Sequence, residues 1–261
     1  MGAGVTASTE LHFVADDFGL SAGVNAAVVR AHRSGALTGA SLMMGQPGTE
    51  EAVALAREHP GLHIGWHLHL CDSHPLCGSE WPWGSSPVRA ALAGCVSASA
   101  RRRMRAEVLA QWEAFQAAGI PCRFVNTHHH LHLHPRVLDL LRTAVGPRPG
   151  AWFRGGAFRS FGPGEALMPR LTREVGTLGR HLGWDSGFLP CVDSVWGVDR
   201  LHRMQADEVR RVISGLPPGR HEFFFHPRNP AGDADLEALL ALGCLRKVAS
   251  SGPSGPTSGE H

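Results

Sequence analysis

Short apolar runs alternate with helical patterns along almost the whole chain, and this alternation limits the fold more than any other feature. LHFVA (11–15), GASLMM (39–44), HIGWHLHL (63–70), CRFVNT (122–127), AWFR (151–154), GFLPC (187–191) and EFFFH (222–226) read as strands. Ser21 is placed to cap a helix running to about Ser34, with Val24, Ala27, Val28 and Ala31 on one face. Thr49 precedes Glu50 and Glu51 and reads as the cap of a short helix. A long helix from about Ser99 to Ala118 carries Met104, Val108, Trp112 and Phe115 as its apolar stripe. Further helical stretches fall near 136–144, 164–182, 206–214 and 233–242. Strand, helix and strand joined by short links call for a parallel sheet. The expected class is therefore α/β: an irregular (β/α) barrel of about seven parallel strands in a single domain, 1–249. A flat doubly wound sheet is the competing architecture. The Ser/Gly/Pro-rich end, 250–261, reads as a disordered tail.

Composition excludes several classes. A net charge of +2 gives no bulk attraction for nucleic acid. No run of about 18 apolar residues is available to span a membrane, and the N-terminal stretch lacks the pattern of a secretory signal. The expected location is cytoplasmic. Six cysteines without a CxxC pair or a regular framework read as free thiols in a reducing compartment, with a Cys71–Cys77 bridge across a loop as the alternative. The chain has 17 histidines and no tyrosine, so tyrosine is absent from the list of general acids and oxyanion donors.

Barrel enzymes carry their chemistry at the C-terminal ends of the strands. Here those ends bear Asp16–Asp17, His67 with His69, His128 with His130, Arg154 and His226. Adjacent residues of an extended strand point to opposite sides, so Asp16 and Asp17 are expected to have different partners; an Asx turn or a helix cap is the plainer use of such a pair. In HIGWHLHL, alternation puts His63, Gly65, His67 and His69 on an inward face and Ile64, Trp66, Leu68 and Leu70 toward the helices. Imidazole and carboxylate suit a divalent metal such as Zn²⁺, and three protein ligands leave a position for water. FVNTHHHLHLHP (124–135) supplies one or two ligands, and the first and third strands supply the rest. Its surplus histidines are left as supports for the ligands, substrate contacts or helix-entry residues. His134–Pro135 suits a helix entry, and a weak basic patch stays open for His132.

The ordered set VADDFGLS with Asn25, GWHLHL, NTHHHLH, FR and EFFFHP, spanning about 11–228, resembles the YdjC-like carbohydrate deacetylases, and within them the members associated with hopanoid biosynthesis. The resemblance implies hydrolysis of the N-acetyl group of an amino sugar, with one divalent metal ion, Zn²⁺ or Mg²⁺, held by Asp17, His67 and His128. It places Asp16 as catalytic base and His226 as the residue before Pro near the end of the barrel, the candidate general acid. Arg154, His130, His69, Trp81 and Trp83 are the candidate substrate contacts. Two positions depart from the family pattern: Arg228 follows His226–Pro227 where Gly is common, and Gly155–Gly156 follow Arg154 where a Pro is frequent. Both fall where substrate contacts are expected.

The expected substrate is an N-acetylglucosaminyl lipid, most specifically a hopanoid conjugate met transiently at a membrane surface. A soluble chitooligosaccharide is the alternative. Trp81 and Trp83 are expected either to form an apolar lip at the site or to pack back onto the barrel. A glycosidase using Asp16 or Asp17 needs a second strand-end carboxylate, and none is evident. A non-catalytic sugar- or metal-binding protein is the remaining rival. A homo-oligomer stays open.

Overall fold

A computed structural model describes residues 8–162, 165–183 and 187–250, with side chains through 243. Eight strands form one sheet: β1 (Thr9–Phe18), β2 (Gly39–Leu42), β3 (His63–Leu68), β4 (Phe124–Thr127), β5 (Trp152–Phe153), β6 (Ala157–Arg159), β7 (Ser194–Trp196) and β8 (Gly219–Phe225). Their spatial order is β5-β4-β3-β2-β1-β8-β7-β6, and every strand pair is parallel. The sheet curls toward closure, because Phe153 of β5 forms a parallel bridge with Cys191, just ahead of β7.

The expected parallel α/β barrel is therefore present, with eight strands rather than about seven. The strand expected at 187–191 is reduced to that single bridge. The additional strands β6 and β7 are three residues each, too short to show a period. The tail expected to be disordered lies outside the described residues from 251 onward.

Eight α-helices are described: α1 (Ala22–Arg33), α2 (Thr49–Glu58), α3 (Pro87–Val96), α4 (Ala98–Ala117), α5 (Pro135–Val145), α6 (Leu167–His181), α7 (Ala206–Ile213) and α8 (Ala234–Ser250). Ser21 caps α1 as expected, its Oγ accepting from Val24 N. Thr49 does not cap α2. The N-cap is Gly48, and Thr49 Oγ1 accepts from Gln46 N and donates to Met43 O, which ties the β2–α2 connection together. Pro135 opens α5 with His134 as its N-cap.

Apolar side chains divide into two clusters. The larger, with Phe13, Ile64, Trp66, Val125, Phe223 and Phe225, lies where the sheet meets its helices; the Trp66 ring lies 5.0 Å from that of Trp112 of α4, tilted by 49°. The smaller holds Val14, Phe124, Trp152, Phe158, Val195 and Phe224 inside the curl. Gly65 is needed on the inner face of β3, because any Cβ there would run into the Phe124 ring. Apolar side chains thus fill much of the interior below the mouth, with the buried Arg154–Glu222 pair as a polar exception.

Candidate active site

Asp16 and Asp17 both reach the mouth of the curled sheet, where they line a pocket of about 350 Å³ with His67, His128, His130 and His226. Strict alternation would have sent one of the two carboxylates away. Instead, Asp17 adopts a left-handed φ of 64°, and the pairing of β1 with β2 shifts register between Ala15 and Phe18. This irregularity re-aims the side chain. The expectation that the pair have different partners is met, although the two groups lie on the same side.

Asp17 Oδ1 lies 2.9 Å from His128 Nδ1 and 3.3 Å from His67 Nε2. The three residues can bring one ligand atom each within 4.8 Å of one another, which is the geometry of a candidate metal centre. Asp17 Oδ1 and His67 Nε2 are buried and make no hydrogen bond, so their lone pairs are uncommitted. His67 Nδ1 sits 2.5 Å from Asn126 Oδ1. Donation from Nδ1–H to that carbonyl leaves the Nε2 lone pair facing Asp17, the tautomer a metal ligand needs. Two imidazoles and one carboxylate fit a divalent ion. Burial alone would raise the Asp17 pKa, but His128 and His67 hold it well below the carboxylate range. Burial works against protonation of His128, yet Asp17 raises it above the ordinary histidine value. A second cluster, Asp72 with His128 and His129, shares His128 but is more exposed.

Asp16 is locked from the other side. Arg154 donates to both of its oxygens, at 2.5 and 2.8 Å, while Ser41 Oγ donates at 2.5 Å and Asn126 Nδ2 at 3.3 Å. Burial opposes ionisation, but Arg154 and His67 outweigh it and the pKa falls below its ordinary value. Asp16 is therefore an ionised acceptor at neutral pH. His226 Nε2 stands 3.8 Å from Asp16 Oδ2. Burial brings the His226 pKa down to about 4 despite both aspartates. Asp235 fixes the turn after β8 by accepting from the His226 and Met204 amides.

The histidines of 124–135 do separate jobs. A 3-10 turn over His128–Leu133 with left-handed His129 and His130 (φ 54° and 53°) fans them apart. His128 meets Asp17, and His129 reaches Asp72 at 3.4 Å. His130 turns onto Phe158 and Phe224 at the pocket floor. His132 pairs Nδ1 with Thr127 Oγ1 at 2.8 Å and is buried, with its pKa lowered to about 3, so it is no basic patch. His134 caps α5 and its Nε2 lies 3.1 Å from Cys95 Sγ.

Four expected substrate contacts are not brought to the pocket. Arg154 is wholly buried, its guanidinium shared between Asp16 and Glu222, so it positions Asp16 and does not face the mouth. His69 falls one residue past the end of β3, where alternation stops; its ring is enclosed by Met44 O, Gln111 and Ser73 on the helical side. Trp81 and Trp83 stack on each other at 5.6 Å and are buried. Their indole N–H groups donate to Ser73 O and Leu70 O, and Glu107 anchors the same loop through the amides of Leu76 and Cys77. They pack back onto the barrel and form no lip. Cys71 and Cys77 carry free thiols, so the bridge between them is not made. Gly156 has φ 124° and its Cβ would strike Val192 O, which explains why neither Pro nor another side chain stands there. Arg228, in place of the family's Gly, lines the pocket mouth.

Asn126, Ser41 and Glu222 were not singled out from sequence. Asn126 was detectable in principle: it lies beside His67 in the β3–β4 register and therefore on the same face. Glu222 lies within β8 and is sealed behind Arg154, so it offers no second carboxylate to a sugar.

Residues 10–242 match the family model described as YdjC-like protein, and the chain belongs to that family. It is 41% identical over 130 residues to the carbohydrate deacetylase of Brevibacillus brevis, covering 49% of this chain and 52% of that protein. With the carbohydrate deacetylase of Vibrio campbellii it shares 36% identity over 132 residues, 50% of this chain and 53% of that one. The chain thus spans about half the length of the curated relatives it matches. A solved structure from Enterococcus faecalis V583, described in connection with cellobiose-phosphate cleavage, superposes with a TM-score of 0.60 at 16% identity over 94% of each chain, a likeness of fold alone.

Proposed function

We propose that this protein is a metal-dependent hydrolase that removes the N-acetyl group from an N-acetylated amino sugar. The observation that carries the reading is the convergence of Asp17, His67 and His128 beside a separately held Asp16 in one pocket. The similarity to carbohydrate deacetylases supports it. Zn²⁺ or Mg²⁺ would be held by Asp17, His67 and His128, and such an ion supplies polarisation of the amide carbonyl and a water acidified toward pH ~7.

The chain's own groups divide the proton work. Asp16, kept ionised and aimed by Arg154, Ser41 and Asn126, accepts a proton from the attacking water. As the C–N bond breaks, His226 returns a proton to the departing amine. Asp16 and His226 stand 3.8 Å apart, so what one takes the other can give. Burial keeps His226 neutral until then. His130 and Thr127 shape the pocket floor.

Within the amino-sugar class, we assign an N-acetylglucosaminyl lipid of the hopanoid kind, on the strength of the sequence resemblance. The test is acetate release from N-acetylglucosaminyl hopanoid and from chitobiose at equal concentration, with and without metal. Release from neither overturns the deacetylase reading. Faster release from chitobiose overturns the lipid assignment and leaves a deacetylase of soluble amino sugars.

A further inference from the structure

Large apolar side chains at the surface are not scattered. Apart from Leu76, those described lie on α3, on α6 and its C-cap, and at Leu201. On α3, Val88, Leu92 and Val96 recur at the helical spacing, with Leu92 at 58% and Val96 at 83% exposed. On α6, Leu167, Leu171, Val175 and Leu178 form one stripe that Leu182 continues; Leu167 is 69% exposed and Leu178 54%. The opposite face of α6 carries Gly176 and Gly179, and Gly176 lets the helix lie close on Phe158. The apolar stripe is thus turned outward while small residues make the inward contact, the reverse of an ordinary surface helix.

Both helices begin at the mouth of the candidate active site. Pro87 of α3, Met168 and Pro169 of α6, and Leu201 line that pocket together with Arg228. The outward stripes therefore start at the opening through which substrate must pass. Next to α3 runs a groove of about 420 Å³ between α4 and α5, lined by Arg101, Arg102, Arg105 and Arg136 with Asp139 as its one acid. Two exposed apolar stripes that start at one opening, the first of them beside an arginine-rich groove, match the chemistry of an anionic bilayer, in which acyl chains receive the stripes and headgroups the guanidinium groups. A second copy of the chain is a poorer fit. The stripes of α3 and α6, about 15 and 22 Å long and one helix face wide, together offer roughly 350 Å², against about 800 Å² per partner in a stable pair.

We propose that the face around the pocket mouth docks on an anionic lipid bilayer through the apolar stripes of α3 and α6, with the arginine groove contacting headgroups. The proposal rests on the deacetylase reading only for what the docked mouth receives. Docking itself is read without turnover, so the two fail separately.

The test is flotation of the full chain with vesicles of phosphatidylcholine alone and of phosphatidylcholine with phosphatidylglycerol. Two variants accompany it: Leu92→Gln, Val96→Gln, Leu171→Gln, Leu178→Gln, and Arg102→Gln, Arg105→Gln. None of these residues lines the candidate active site. Wild type is expected to float with the anionic vesicles and to be released by salt. Each variant should bind roughly tenfold or more weakly while keeping its melting temperature and its turnover of a soluble amide. Absence of flotation on anionic vesicles overturns the proposal, as does undiminished flotation of the apolar variant. Concentration-dependent dimerisation of wild type that is lost in the apolar variant would assign the stripes to a second copy and also overturn it.

Discussion

His67 Nδ1 faces Asn126 Oδ1 at 2.5 Å, while Asn126 Nδ2 reaches Asp16 Oδ1 at 3.3 Å. One amide therefore sets the tautomer of a candidate metal ligand and the orientation of the candidate base. Its two ends are not interchangeable, since the carbonyl must take the imidazole N–H and the NH₂ must serve the carboxylate. Asn126→Ala should weaken metal binding about 10–100-fold, the usual effect of removing a ligand's hydrogen-bond partner. Isothermal titration with Zn²⁺ measures it. Unchanged affinity would show that β3 packing alone orients His67.

The two aspartates should separate by phenotype. Asp16→Asn is expected to retain metal and lose roughly 10²–10⁴ in rate, the size of a general-base contribution. Asp17→Asn should lose metal, because Asp17 Oδ1 is the atom nearest both imidazoles. Elemental analysis beside acetate release distinguishes them. A reversed pattern would exchange the two roles.

Much of this site was legible because polar residues at the ends of apolar strands have few structural uses. Asp16, Asp17, His67, His128 and His226 each end a run whose alternation or apolar content is plain. What could not be read was backbone departure from the ideal period. The left-handed turn at Asp17 is made by a residue other than glycine, so nothing in the sequence marks it. The same holds at His129 and His130. His69 is not on the inward face because β3 ends at Leu68, two residues before the alternation in the sequence stops at Leu70. Ser86 followed by Pro87 does carry the cap-and-proline signal of a helix start, and α3 could have been found from it.

Arg154 spans Asp16 and Glu222 in full burial, with Nε 2.7 Å from Glu222 Oε1. Arg154→Met would leave two carboxylates facing each other without a cation. Loss of one partner from such a buried pair costs about 3–5 kcal/mol. Glu222→Gln keeps a hydrogen-bond acceptor for Arg154 and removes a charge that burial already disfavours, with the Glu222 pKa pushed up to about 7. Its cost should be clearly smaller. Urea unfolding of the two variants gives the comparison. Equal losses would mean that the charge on Glu222 matters as much as the guanidinium.

Stability should rise with pH across the mildly acid range. His69 and His132 have folded pKa values lowered to about 3 by burial from an ordinary 6.5. The unfolded chain therefore binds more protons than the folded one between those limits. Their contribution is complete above 6.5 and is lost as pH falls toward 3. Glu222 acts in the opposite sense: with its pKa raised by burial from 4.5 to about 7, its contribution is complete below 4.5 and lost as pH rises through 7. His12 and His226, both lowered to about 4, and His130, lowered further, act in the same sense as His69 and His132, while His128 and Asp235, both raised, act with Glu222; the lowered histidines are the more numerous, so the net slope should be positive between about pH 5 and pH 6.5. The urea midpoint of chelator-treated protein, followed across that window, measures the slope. His132→Asn should flatten it, because the amide can still meet Thr127 Oγ1 but no longer titrates. A slope that is unchanged in this variant would remove His132 from the account and leave the effect to the other lowered histidines, of which His69→Gln is the next to test.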